Sequence, residues 1–171
     1  MTKITLAGAA LAVLMAAAVG GCDRPQAAKH ATDTGKIAEA ITADQAQFIA
    51  DFNAHDADKI TSHETADFVG MSHGSANIVG SAADLVANQK AVVADSTMHV
   101  AVADPVVEVA EAGDMAVYRA SYSFTGHNPK TKKAITETGN YVAGYKPGAD
   151  GTWKIAWSVI SDTAPAPAPK S

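Results

Sequence analysis

The sequence runs to 171 residues and holds a single cysteine, Cys22. An intramolecular disulfide is therefore impossible, and the usual reason for cysteine in an exported protein is missing. Cationic side chains are also scarce: 13 Lys and Arg stand against 18 Asp and Glu, a formal charge of −5. Without a basic run the chain lacks what binding to a phosphate backbone requires, so nucleic acid is excluded as a partner. The six histidines show no H-x-x-x-H or H-E-x-x-H spacing, and no metal site is expected. No G-x-S-x-G elbow, phosphate-binding Gly-Lys-Ser/Thr loop or dinucleotide fingerprint occurs, so covalent and nucleotide chemistry are unsupported and no cofactor is expected.

What is present begins with an address. Lys3 precedes an apolar run from Ile4 to Val19, which ends in Gly20-Gly21 just before Cys22. That is the layout of a secretory signal. Val19-Gly20-Gly21-Cys22 resembles the lipobox of bacterial lipoproteins, in which the cysteine is acylated and becomes the mature N-terminus. Acyl chains anchor stably, at about 0.8 kcal/mol per buried CH₂. The expectation is a signal peptide over 1–21, a tether over 22–33 containing Pro25, a domain over 34–162, and a disordered Ala/Pro tail over 163–171. The domain would sit in the periplasm, lipid-anchored to the bacterial cell envelope through Cys22. Asp23 does not decide between inner and outer membrane.

Within the domain, Ile37, Ile41, Phe48 and Phe52 recur at helical spacing, with Asp33 or Thr34 as the N-cap, which predicts a helix over 35–53. Asn53-Ala54-His55-Asp56 breaks it, and residues 57–64 allow a short second helix. A short strand over 67–71 and an irregular Gly-bearing stretch lead to Ser81-Ala82-Ala83-Asp84, the start of a helix over about 82–94. The period then changes to two. Met98, Val100 and Val102 alternate with polar or small residues, Asp104-Pro105 marks a bulge or an edge, and Val107 and Val109 resume the pattern. Ala116, Tyr118, Ala120, Tyr122 and Phe124 share one face of the next strand, and residues 135–145 form another after a turn at Asn128-Pro129-Lys130. In the last strand Trp153, Ile155, Trp157 and Val159 alternate with Lys154, Ala156, Ser158 and Ile160. Both indoles are thus expected on one buried face under the first helix. Helices followed by a meander of strands make an α+β domain.

This order resembles the NTF2-like superfamily, and within it the SnoaL-like and DUF4440 proteins. The residues that carry the resemblance are the Asp56 turn, Asp67, Gly80, Asp150-Gly151-Thr152-Trp153-Lys154-Ile155 and Ser161. It implies a cone-shaped, cystatin-like fold with N-terminal helices packed on a curved antiparallel sheet, one enclosed pocket, and a homodimer through the outer sheet face. Isomerase members carry a base carboxylate where the register here places Ser72. A hydroxyl cannot act as that base, which argues against steroid isomerisation. A histidine common in kinase-association members is replaced by Val159.

The candidate site residues follow. His73, beside Ser72 at the expected pocket mouth, is the candidate acid/base, with Asp67 orienting it; the alternatives are an exposed loop histidine and a backbone cap. Tyr122 and Tyr118 are candidate ligand contacts through their hydroxyls, or core tyrosines. Trp157 is expected as pocket wall and Asn77 as a polar contact, while His99 points outward or towards a partner subunit. Two readings stay open beside a purely structural dimer. One is a module that binds a small apolar ligand or contributes to an assembly. The other is an enzyme that transfers a proton on a small carbonyl compound.

Overall fold

The structure, a computed structural model, describes residues 32–128 and 131–163. The signal, Cys22, the tether up to Ala31, residues 164–171 and the Pro129-Lys130 part of one turn lie outside the described residues. Among the described residues no helix is long and apolar enough to cross a membrane.

Three helices come first, with one strand between the second and third. Helix α1 spans Thr34–Asn53, and its first turn is closed by the Asp33 carboxylate accepting from the Lys36 N–H. Its inward stripe carries Ile41 and Phe48, but also Gln45 and Asp51, all four buried. After the break, where His55 takes a left-handed φ of 59°, Asp56 caps α2, Ala57–Ser62, by accepting from the Lys59 N–H. Strand β1, Glu64–Ser72, follows almost at once. Helix α3, Ala82–Val92, starts with a full capping box between Ser81 and Asp84, which satisfies two otherwise orphaned N–H donors.

The remaining strands are β2 (His99–Val109), β3 (Ala116–His127), β4 (Ala134–Pro147) and β5 (Trp153–Asp162). They form one sheet in the order β1-β5-β4-β3-β2. All neighbours are antiparallel except β1 and β5, which run parallel. The bulge at Asp104-Pro105 is present: the β2–β3 register shifts between Ala103 and Val106, with Asp104 at φ 53°. Tyr118, Ala120, Tyr141, Ala143 and Tyr145 line the inner sheet face and meet Ile41, Phe48 and Ile60 from the helices in one core.

The expectation for β5 is corrected. Tyr145 pairs with Ile155 and Gly144 with Trp157, so Ala156 is an extra residue in the ladder. A bulge of one residue reverses which face the following side chains occupy. Trp153 therefore packs against the core, whereas Trp157 lies on the outer face, over Gly144, where a Cβ would overlap the indole. Beyond the bulge Ser158 and Ile160 face inward instead. The two tryptophans do not share a face, and α1 lies over β2 and reaches β4, rather than covering a tryptophan strand.

Candidate functional site

Between the inner sheet face and helices α1 and α3 lies a cavity of about 440 Å³. Its walls are mainly apolar: Phe48, Ile49 and Phe52 from α1, Phe68 from β1, Val92 from α3, Val100 and Val102 from β2, and Phe124 from β3. Strand alternation places them there, because every second residue of β2 and β3 points inward.

One carboxyl group sits deep among them. Glu64, the first residue of β1, lies opposite Ile155 of β5 and is 6% exposed. Its Oε1 accepts from the Gln89 side-chain amide of α3 at 2.8 Å. Its Oε2 is buried with no hydrogen-bond partner among the described residues. Burial disfavours the charged carboxylate and pushes Glu64 up to about 7, against smaller opposing pulls from the Gln89 hydrogen bond and the His63 charge. Tyr141 and Ser158 line the same cavity, and burial pushes the Tyr141 hydroxyl upward as well.

A polar network next to Glu64 fixes this end of the site. His63 Nδ1 is 2.7 Å from Asp44 Oδ1 and its Nε2 is 3.1 Å from Asp51 Oδ2, so one ring ties two turns of α1 to the end of α2. The hydrogen bond to Asp44 is the main cause that raises the His63 pKa above its ordinary value, with burial opposing it. The Tyr145 hydroxyl donates to Asp44 Oδ2 and accepts from the Gln45 amide, each at 2.8 Å. The same amide reaches the Tyr141 hydroxyl at 3.4 Å. Tyr141 is further held between Phe48, stacked at 6.5 Å, and Tyr118 at 6.0 Å.

The exposed rim carries Ser72, His73, Glu137 and Asp162, with Tyr122 partly buried beside them. Burial first, then the charges of Glu137 and Asp162, push the Tyr122 hydroxyl up. Of the residues expected from sequence, His73 and Tyr122 line the cavity. Asp67 is exposed, does not line it, and makes no hydrogen bond to His73 among the described residues, so the expected pair does not form. Asn77 is exposed in the loop and also lies off the lining. Tyr118 is 2% exposed and works as packing behind Tyr141. Trp157 is displaced to the outer face by the Ala156 bulge and is no pocket wall. His99 pairs with Thr125 and is exposed, pointing away from the cavity.

Sequence reasoning missed Glu64, Gln89 and the cluster of Asp44, Asp51 and His63. One signal was available, since Gln45 and Asp51 fall on the same helical stripe as Ile41 and Phe48. A polar side chain at a core-facing position implies a buried partner.

No family model matches this sequence, and no curated protein is similar to it in sequence. Solved structures are similar in shape. An NTF2-like superfamily protein from Salmonella enterica superposes with a TM-score of 0.69 at 14% identity, over 81% of this chain and 99% of that one. A ketosteroid isomerase-like protein from Erwinia carotovora gives 0.62 at 21% identity, over 74% and 96%. An NTF2-like protein with a cystatin-like fold from Novosphingobium aromaticivorans gives 0.58 at 17% identity, over 80% and 85%. The chain has the NTF2-like, cystatin-like fold. Because one such fold hosts many chemistries, the function of this NTF2-like domain has to be argued from its cavity.

Proposed function

We propose that the domain holds a small apolar ligand in this cavity, as the periplasmic part of an envelope lipoprotein anchored at Cys22. Within its fold the chain resembles the SnoaL-like and DUF4440 domains in the run Asp150-Gly151-Thr152-Trp153-Lys154-Ile155. The observation that carries the ligand reading is a roomy cavity with mainly apolar walls into which a minority of polar side chains project, the ordinary anatomy of a small-molecule site. Native mass spectrometry and organic extraction of the purified protein test it. Recovery of a bound small molecule supports the reading, provided Val102→Trp, which fills the cavity from β2, abolishes it. Retention by that variant would place the ligand elsewhere and end the reading.

A second reading rests on Glu64. A carboxyl whose pKa is about 7 exchanges a proton readily near neutrality, and it shares the cavity with the Tyr141 hydroxyl. The ketosteroid isomerase-like relative in shape is consistent with proton transfer on a small carbonyl compound, with Glu64 in place of His73 as the acid/base. Deuterium uptake at the α-carbon of cyclic ketones, lost in Glu64→Gln, is the expected result; uptake no faster than in buffer would sink it.

A homodimer through the outer sheet face is the third element. Val117, Val142, Trp157 and Val159 lie there only half-buried. Light scattering of the wild type and Val159→Asp checks it, with loss of the dimer expected in the variant and a monomeric wild type as the contrary outcome.

A further inference from the structure

We propose that the cavity selects a lipophilic amine, an organic cation whose ammonium group sits on Glu64 and whose apolar body fills the space between Phe48, Phe68, Val102 and Phe124. The inference rests on the ligand-binding reading above and names the class of ligand. Its first support is the sign of the charges that face the cavity. Three carboxyl groups line it, Glu64 from β1, Glu137 from β4 and Asp162 from β5, and among the described residues no Lys or Arg does. His73 at the rim is the one side chain there that can become cationic. An anionic ligand would meet repulsion at both ends, whereas a cation is drawn in by the rim acids and then held below.

The second support is the hydrogen-bonding state of Glu64. Oε1 is occupied by the Gln89 N–H at 2.8 Å, while Oε2 is buried with no partner among the described residues, on a side chain only 6% exposed. In its ionised form the carboxyl only accepts, so the partner that form lacks is a donor. A neutral alcohol supplies the hydrogen bond but does not compensate the charge of the ionised form. An ammonium supplies both, through a charge-assisted bond, and relieves the cost of an unpaired buried ion.

The third support is a linkage that the other ligand classes lack. Burial holds the free Glu64 carboxyl near 7. A cation beside it favours the ionised form, so binding at neutral pH expels the proton that Glu64 carries about half the time.

The test is calorimetry of the purified full chain at pH 7 in two buffers of different ionisation enthalpy. The probes are two matched pairs, tryptamine against tryptophol and cyclohexylmethylamine against cyclohexylmethanol. Each amine is expected to bind at least about tenfold more tightly than its alcohol, with release of about half a proton to buffer. Glu64→Gln is expected to lower amine affinity about tenfold and leave alcohol affinity within about twofold. The proton count on the wild type stands even where that variant fails to fold. Equal binding of amine and alcohol, or amine binding without proton release, overturns the cation inference and leaves the apolar-ligand reading in place. Absence of binding by all four probes overturns both.

Discussion

Gln89 and Glu64 form a single hydrogen bond of 2.8 Å that joins α3 to the start of β1 beneath the cavity. The amide satisfies one carboxyl oxygen and leaves the other buried without a partner among the described residues. An arrangement tuned for stability alone would satisfy both, so this half-satisfied carboxyl is a cost that the fold carries at its site.

That cost has a pH signature. Glu64 is raised from 4.5 to about 7, so the folded state binds more protons than the unfolded state between those values, and stability falls as pH rises through that window. The full effect is about 3 kcal/mol at 1.36 kcal/mol per pK unit. Glu64→Gln keeps the shape and removes the ionisation. Urea unfolding is expected to show the variant close to wild type at pH 4.5 and more stable by about 2–3 kcal/mol at pH 8.5. A variant less stable than wild type at pH 8.5 would contradict the assignment.

His63 gives a second pH-dependent contribution of different origin. Its pKa is raised chiefly by the Asp44 hydrogen bond, so the stability it confers is fully present below about 6.5 and is lost as pH rises through the folded value. His63→Ala removes one partner from a buried ion cluster and is expected to cost about 3 kcal/mol at pH 5.5, less at pH 8.5. Asp44→Asn should lower the His63 pKa, read by NMR from the imidazole proton shifts. An unchanged titration would show that the Asp44 contact at 2.7 Å does not govern the ring.

On the outer face, Gly144 and Trp157 fit because glycine has no Cβ. A Cβ at Gly144 would overlap the indole, so Gly144→Ala is expected to destabilise by about 1–3 kcal/mol through overpacking. In a Trp157→Ala background the same change should cost under about 0.5 kcal/mol, since the obstruction is gone. Additive losses in the double-mutant cycle would mean that the indole does not rest on this glycine.

These residues also mark where the sequence could be read and where it could not. Caps and turns are local, so a cap at Asp33 or Thr34, the helix break at Asp56 and the Ser81–Asp84 box could be placed from spacing alone, and the alternation of β3 put Tyr122 and Phe124 on the cavity side. The bulge at Asp104-Pro105 announced itself through proline, which cannot donate to a ladder. The bulge at Ala156 gave no such warning, because alanine is neutral in a strand and the extra residue shows only in pairing with Gly144 and Tyr145. Trp157 was lost from the pocket for that reason. Glu64 was hidden by position: it follows α2 so closely that it reads as the end of a helix, and its burial depends on Gln89, 25 residues away.

The address can be tested independently of the cavity. A hydrophobic leader ending in Val19-Gly20-Gly21, the sole cysteine directly after it, and a polar stretch before the first helix at Thr34 would be explained together by the proposed acylation of Cys22. Under that proposal each part would have a role: membrane insertion, cleavage, anchoring and reach. Acyl chains contribute about 0.8 kcal/mol per buried CH₂, so their loss should move the protein from membrane to soluble fraction. Metabolic palmitate labelling with fractionation is expected to find labelled wild type in membranes, and unlabelled Cys22→Ser either soluble or held by an uncleaved leader. The fold of the variant should be unchanged, since the packed core is built from residues between Ile37 and Ile155. Unlabelled wild-type protein in the soluble periplasm would show that the leader is an ordinary signal peptide, leaving Cys22 as a free thiol near the new N-terminus.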